Sequence, residues 1–145
     1  MPVLLILHIV ICSLGYLLFG VASAVAYVYL RQERALKAKT CRLRARFRWS
    51  LCDLDRCLFI SLILGFAAMG FGLPMGIALQ KTMYGIVDLA SPRILLPALI
   101  WIFYLLILTF RLLTGLRGKI PSYMAVYGFH AVAISFVLEL CLAAA

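Results

Sequence analysis

Four runs of the chain contain no Asp, Glu, Lys or Arg: Pro2 to Leu30, Cys57 to Gln80, Ile94 to Phe110 and Ile120 to Leu138. Crossing the ~30 Å hydrocarbon core of a bilayer takes ~20 predominantly apolar residues in a helix, and each run reaches or nearly reaches that length. Inside hydrocarbon the backbone must satisfy its own polar groups, so the helix is the form such runs take. The pattern predicts four transmembrane helices, over about residues 3–30, 57–80, 94–111 and 120–142. The expected fold is all-α, a polytopic four-helix bundle forming a single membrane domain over residues 1–145.

The first run invites comparison with a secretory signal, because Ala22 and Ala24 form a small-x-small pair. No Lys or Arg precedes it, however, and it far exceeds the ~7–15 residues of a signal's apolar region. It reads as a retained anchor. Within the second run, Ala68, Gly72 and Gly76 recur every four residues, a ridge of small side chains along which another helix can approach closely. Pro74 lies in that ridge and should kink it, and Gly20 with Ala24 makes a shorter ridge on the first run.

Composition agrees with the pattern: 66% of the 145 residues are hydrophobic and 13% charged, whereas soluble domains average roughly 45–50% apolar and about 25% charged. The net charge of +9 would by itself invite a nucleic-acid reading. Its distribution removes that reading. Arg31, Arg34, Lys37, Lys39, Arg42, Arg44, Arg46, Arg48 and Arg56, set against Glu33, Asp53 and Asp55, place +6 in the segment 31–56. Lys81, Arg93 and Asp88 give +1 between the second and third runs, and Arg111, Arg117 and Lys119 give +3 between the third and fourth. Only Phe47 and Trp49 interleave the basic residues with aromatics, too few for stacking on nucleic-acid bases.

Lys and Arg in short loops mark the cytoplasmic side. The 31–56 segment is then a cytoplasmic loop, the 111–119 loop lies on the same side, and both termini and the 81–93 loop are outside. The basic loop also attracts anionic lipid. The chain reads as a multi-pass protein of the plasma membrane, the inner membrane of a bacterium.

Candidate chemistry is sparse. Cys41, Cys52 and Cys57 fall on the cytoplasmic side without the paired CxxC units or histidines of a zinc module. Cys12 and Cys141 fall on the outer side on different spans, so a bridge between them stays open. No nucleophile and base, metal-ligand set or phosphate-binding glycine loop supports catalysis, so the chain is read as a non-enzyme. Asp88 belongs to the outer loop, and Glu139, ~30 Å of helix beyond Lys119, reaches the outer headgroups. His130, only ~16 Å beyond Lys119, falls near mid-depth, where bonding to a neighbouring helix is the ordinary expectation. His8, ~35 Å of helix before Arg31, falls at the outer surface on a face shared with Cys12, Gly15 and Tyr16. The two histidines differ in level by roughly 15–20 Å, too far apart to hold one iron.

An ordered set of residues resembles the C-terminal part of the cytochrome c assembly proteins of the CcsA, CcmC and HemX type. It comprises Leu54-Asp55-Arg56, Gly65-Phe66, Gly72, Gly76, Trp101, Tyr104, Leu108, Arg111, Gly115, Arg117-Gly118 and Gly128-Phe129. Leu7-His8, Gly15-Tyr16-Leu17, Leu30, Glu33-Arg34 and Leu36-Lys37 fit the same pattern, which covers roughly residues 5–140.

The resemblance implies haem handling at the outer membrane face for cytochrome c biogenesis. His8 matches the family's histidine beside the haem loop, and Tyr84 is the accompanying outer aromatic, so these two are the candidate haem-binding residues. The family's tryptophan-rich loop corresponds to Asp88-Leu89-Ala90-Ser91-Pro92-Arg93-Ile94, while the chain's tryptophans, Trp49 and Trp101, lie elsewhere. A second outer histidine and further spans would come from another chain or another cytochrome c assembly subunit. Two alternatives stand beside this reading. One is a HemX-type regulator or scaffold of haem biosynthesis that docks a cytoplasmic partner through the basic loop, and the other a small transporter subunit working through His130.

Overall fold

A computed structural model describes residues 2–38, 49–85, 91–115 and 118–144. It contains four helices, α1 (Pro2–Lys37), α2 (Leu51–Tyr84), α3 (Pro92–Thr114) and α4 (Lys119–Ala144), and no strand among the described residues. The first three have the length and apolarity to cross a membrane. At ~1.5 Å per residue the helices run from ~35 Å to ~54 Å.

The helices extend beyond the apolar runs, and this corrects the extent of the expected loops. Residues 31–37 continue α1 and residues 51–56 open α2, so much of the 31–56 segment is helical rather than loop. Arg31 to Lys37 is rich in good helix formers, and Lys37 Nζ pairs with Glu33 Oε1 at 2.8 Å across one turn. Ser50 starts α2 well before the apolar run. Its Oγ accepts from the Asp53 N–H at 3.1 Å and donates to Asp53 Oδ2 at 2.6 Å, a cap that stabilises a helix by roughly 1 kcal/mol. α2 likewise runs through Pro74 to Tyr84, which shortens the expected 81–93 loop.

The chain goes up, down, up and down. Antiparallel neighbours are shown by paired contacts along each seam: Gly65 and Gly76 of α2 against Phe19 and His8 of α1, Phe66 of α2 against Trp101 of α3, and Gly128 of α4 against Phe103 and Tyr104 of α3. α4 returns to α1, where Gly20 meets Phe129 and Arg34 Nη2 donates to Tyr123 Oη at 2.8 Å. Across the middle, the Phe19 and Tyr104 rings stack with centroids 3.7 Å apart and planes within 3°, contributing about 0.5–1.5 kcal/mol beyond their burial. Leu58, Leu62, Ile107, Ala125 and Val132 close the core around them.

Gly72 and Gly76 of the small-residue ridge, with Gly65 outside it, form the seat of α1. A Cβ added at Gly65 would come within 2.8 Å of the Phe19 ring, one at Gly72 within 2.7 Å of Cys12 Sγ, and one at Gly76 within 2.9 Å of His8 Cε1. The shorter ridge does not form: Gly20 packs on Phe129, but Ala24, four residues on, is exposed.

Candidate functional site

Because α1 and α2 meet over glycine, side chains of α1 can lie between the backbones rather than over them. At the end of the bundle holding the α1 N-terminus and the α2 C-terminus, this leaves a cavity of about 570 Å³ between α1, α2 and the start of α3. That volume lies within the ~300–1,000 Å³ range of small-molecule and cofactor sites. Its walls are mostly apolar, with Ile9, Leu73 and Ile77 among them, and its polar groups are few: His8, Cys12, Ser13, Tyr16 and Gln80.

His8 is half-buried in this wall, fitted over Gly76. Cys12 Sγ, one turn along α1, lies 3.7 Å from His8 Nδ1 and 3.9 Å from His8 Nε2. Gln80 Oε1 is buried and has no hydrogen-bond partner. An unsatisfied buried carbonyl costs about 1–3 kcal/mol. The expected grouping of His8, Cys12 and Tyr16 on one face is found, since all three line the cavity. Tyr84 closes α2 at the same end, one residue beyond Met83 of the cavity wall, but its side chain lies outside the described part of the structure. Asp88 and the Glu139 side chain also lie outside it.

His130 departs from its expectation. It does not bond a neighbouring helix: it is exposed on α4, and its Nδ1 is 2.8 Å from the Val126 carbonyl of its own helix. It does not line the cavity. Position 130 points outward because Val132, Ala125 and Phe129 take the inward stripe of α4. Cys12 and Cys141 are both free thiols, so they do not bridge. Among the described residues, no three of His, Cys, Asp and Glu gather as a metal site.

At the opposite end Asp55, Arg111 and Gly118 form a cluster. Asp55 Oδ2 accepts from Arg111 Nη2 at 2.7 Å, and Asp55 Oδ1 accepts from the Gly118 N–H at 3.2 Å. The Arg111 guanidinium also lies 4.5 Å from the centroid of the Phe59 ring. Both charged side chains are nearly buried, at 7% exposure for Arg111 and 12% for Asp55. Gly115 and Gly118 have φ of 61° and 93°, a left-handed conformation that only glycine adopts at little cost. They turn the chain so that Gly118 faces Asp55. The cluster ties α2, α3 and the start of α4. One signal was available: Asp55, Arg111 and Gly118 all stand in the family pattern, although nothing in their spacing says that they meet.

The fold and the site together define a polytopic helical membrane protein with an apolar, histidine-bearing cavity at one end of its bundle. A model of the family described as cytochrome c assembly protein matches residues 2–143, and the chain belongs to that family. It is accordingly a membrane protein of cytochrome c biogenesis. No curated protein and no solved structure gives a significant match.

Proposed function

We propose that this protein handles haem at the outer face of the bacterial inner membrane, as cargo held in the cavity beside His8, without catalysing a reaction of its own. One observation carries the reading: the half-buried imidazole of His8 lines an apolar cavity of about 570 Å³. Haem is a flat apolar group whose iron takes a strong axial donor, and the cavity supplies both an apolar wall and such a donor.

His8 would ligate the iron, and Ile9, Leu73 and Ile77 would face the porphyrin. Tyr84, at the end of α2 one residue beyond Met83, would be the accompanying aromatic. All four helices span the bilayer in this reading, α4 included, with both termini outside. Charge supports that orientation, because the described basic residues Arg31, Arg34, Lys37, Arg56, Arg111 and Lys119 lie toward the opposite end from His8, the end that Lys and Arg keep to the cytoplasm. A second axial donor would come from another cytochrome c assembly subunit.

The experiment is a titration of the detergent-purified protein with haemin, followed by Soret absorbance. Wild type is expected to give a saturable, shifted Soret band, and His8→Ala to weaken binding at least tenfold. Equal binding by both proteins would overturn the reading.

A further inference from the structure

The end of the bundle opposite the cavity carries charges that the fold does not neutralise. Its described carboxylates are all engaged: Glu33 with Lys37 at 2.8 Å, Asp53 with Ser50 at 2.6 Å and Asp55 with Arg111 at 2.7 Å. Arg34 and Lys119 are exposed, and among the described residues no carboxylate pairs with either. They nevertheless converge on one side chain. Arg34 Nη2, from α1, donates to Tyr123 Oη of α4 at 2.8 Å, and Lys119 Nζ lies 5.9 Å from the centroid of the same ring.

Helix periodicity extends this meeting point into two neighbouring stripes. Lys119, Tyr123 and Tyr127 follow at four-residue spacing on α4, while Tyr27, Arg31 and Arg34 share one face of α1, because residues three and four apart lie on one side of a helix. The Tyr123 and Tyr127 rings stack with centroids 6.4 Å apart. Tyr27 and Tyr127 are exposed, at 61% and 68%, so nothing in the chain covers them. On both helices the cations lie nearer the end and the tyrosines deeper. Along the helix axes Tyr123 stands ~6 Å and Tyr127 ~12 Å from Lys119, and Tyr27 ~10 Å from Arg34. The polar layer of one leaflet is roughly 5–8 Å thick, and tyrosine concentrates at its boundary with the hydrocarbon. The cations therefore fall at the level of the lipid phosphates and the tyrosines at that boundary.

Two like charges held beside one phenol repel, and an anion between them replaces repulsion by attraction. A guanidinium offers phosphate a planar fork of donors, and an ammonium offers a point charge. The bond to Tyr123 already fixes the Arg34 head, so less side-chain freedom is lost when an anion arrives. We propose that the seam between α1 and α4 binds one anionic phospholipid, its phosphate between Arg34 and Lys119 and its chains beside Tyr27 and Tyr127. Tyr123 is a positioning residue. A soluble phosphate ester brings the same anion but nothing to cover the two exposed tyrosines, which favours the lipid as occupant. The inference rests on the proposed function only for α4 as a membrane span, and it needs no haem.

The test is native mass spectrometry of the detergent-purified protein, titrated with phosphatidylglycerol, phosphatidylcholine or glycerol 3-phosphate. Wild type is expected to hold one phosphatidylglycerol at least tenfold more tightly than phosphatidylcholine, whose choline cancels the phosphate charge. Arg34→Gln and Lys119→Gln, both at exposed positions, are each expected to weaken phosphatidylglycerol at least fivefold, and Tyr123→Phe about threefold. Arg56→Gln removes a charge from an exposed position of α2 at the same end and is expected to leave the affinity within twofold. Unchanged affinity in both Arg34→Gln and Lys119→Gln, or an equal loss in Arg56→Gln, would overturn the proposal. So would glycerol 3-phosphate binding as tight as phosphatidylglycerol, which would make the ligand a soluble phosphate. Haemin binding is expected to be the same in Lys119→Gln as in wild type, so failure of the haem reading appears in the Soret titration and leaves the lipid result unchanged.

Discussion

Replacing Asp55 by Ala tests the cluster opposite the cavity. Asp55 supplies two acceptor contacts, to Arg111 Nη2 at 2.7 Å and to the Gly118 N–H at 3.2 Å. After its removal Arg111 keeps only a 3.3 Å contact to the Asp55 backbone carbonyl and its position over Phe59. Its Nη1 is already buried without a partner, and among the described residues Asp55 is the carboxylate paired with it. Breaking a buried pair by removing one partner costs about 3–5 kcal/mol, roughly three decades in the folding equilibrium at ~1.4 kcal/mol per decade. Asp55→Asn keeps the shape and an acceptor for Gly118 and should cost about 1–3 kcal/mol. The double replacement Asp55→Leu with Arg111→Met removes both charges and is expected within about 1 kcal/mol of wild type. The assay is equilibrium unfolding in mixed detergent micelles followed by tryptophan fluorescence. A cost below ~1 kcal/mol for Asp55→Ala, or an Arg111→Met cost that is the same with and without Asp55, would refute the reasoning.

Gly76→Leu is expected to force His8 from its seat, costing about 1–3 kcal/mol through overpacking and abolishing haemin binding, whereas Ala24→Leu on the exposed side of α1 should change stability by no more than ~0.5 kcal/mol; the Soret titration and the unfolding assay read both. Trp101→Phe loses the hydrogen bond from Trp101 Nε1 to the Phe66 carbonyl at 3.3 Å while keeping a ring against Phe66, so a loss of about 0.5–1.5 kcal/mol is expected in the same unfolding assay. Orientation is checked on intact spheroplasts with a membrane-impermeant maleimide. With the other cysteines replaced by Ser, a Val3→Cys variant should be labelled, a chain keeping only Cys52 should be labelled only after permeabilisation, and the reverse pattern would contradict outer termini.

Much of the helix order was legible because an uncharged run long enough to cross a bilayer is hard to make by chance. The helix ends were less so. Residues 31–37 and 51–56 are helical through propensity, the Glu33–Lys37 pair and the Ser50 cap, none of which hydropathy registers. The Gly72 and Gly76 ridge was readable as a seat for another helix, but not which helix it would receive. Its consequence, a gap into which His8 and Cys12 fit, depends on how α1 packs on α2. Asp55 shows the opposite failure: counted among loop charges, it is nearly buried, because its partners Arg111 and Gly118 stand 56 and 63 residues away. His130 was assigned a depth along α4 from helix rise, but the side it faces depends on which stripe of α4 packs inward. The family pattern itself is carried largely by packing positions such as Gly65, Gly76, Gly128, Trp101 and Tyr104. It is therefore a stronger guide to the fold than to the site.

The proposed function stands or falls with haem on His8. The most direct measurement is the haem content of protein purified in detergent from membranes of haem-replete cells, by pyridine haemochrome assay, for wild type, His8→Ala and His130→Ala. Haem is expected on wild type and His130→Ala alike and at least tenfold less on His8→Ala. Haem retained by His8→Ala, or lost with His130→Ala instead, would contradict it.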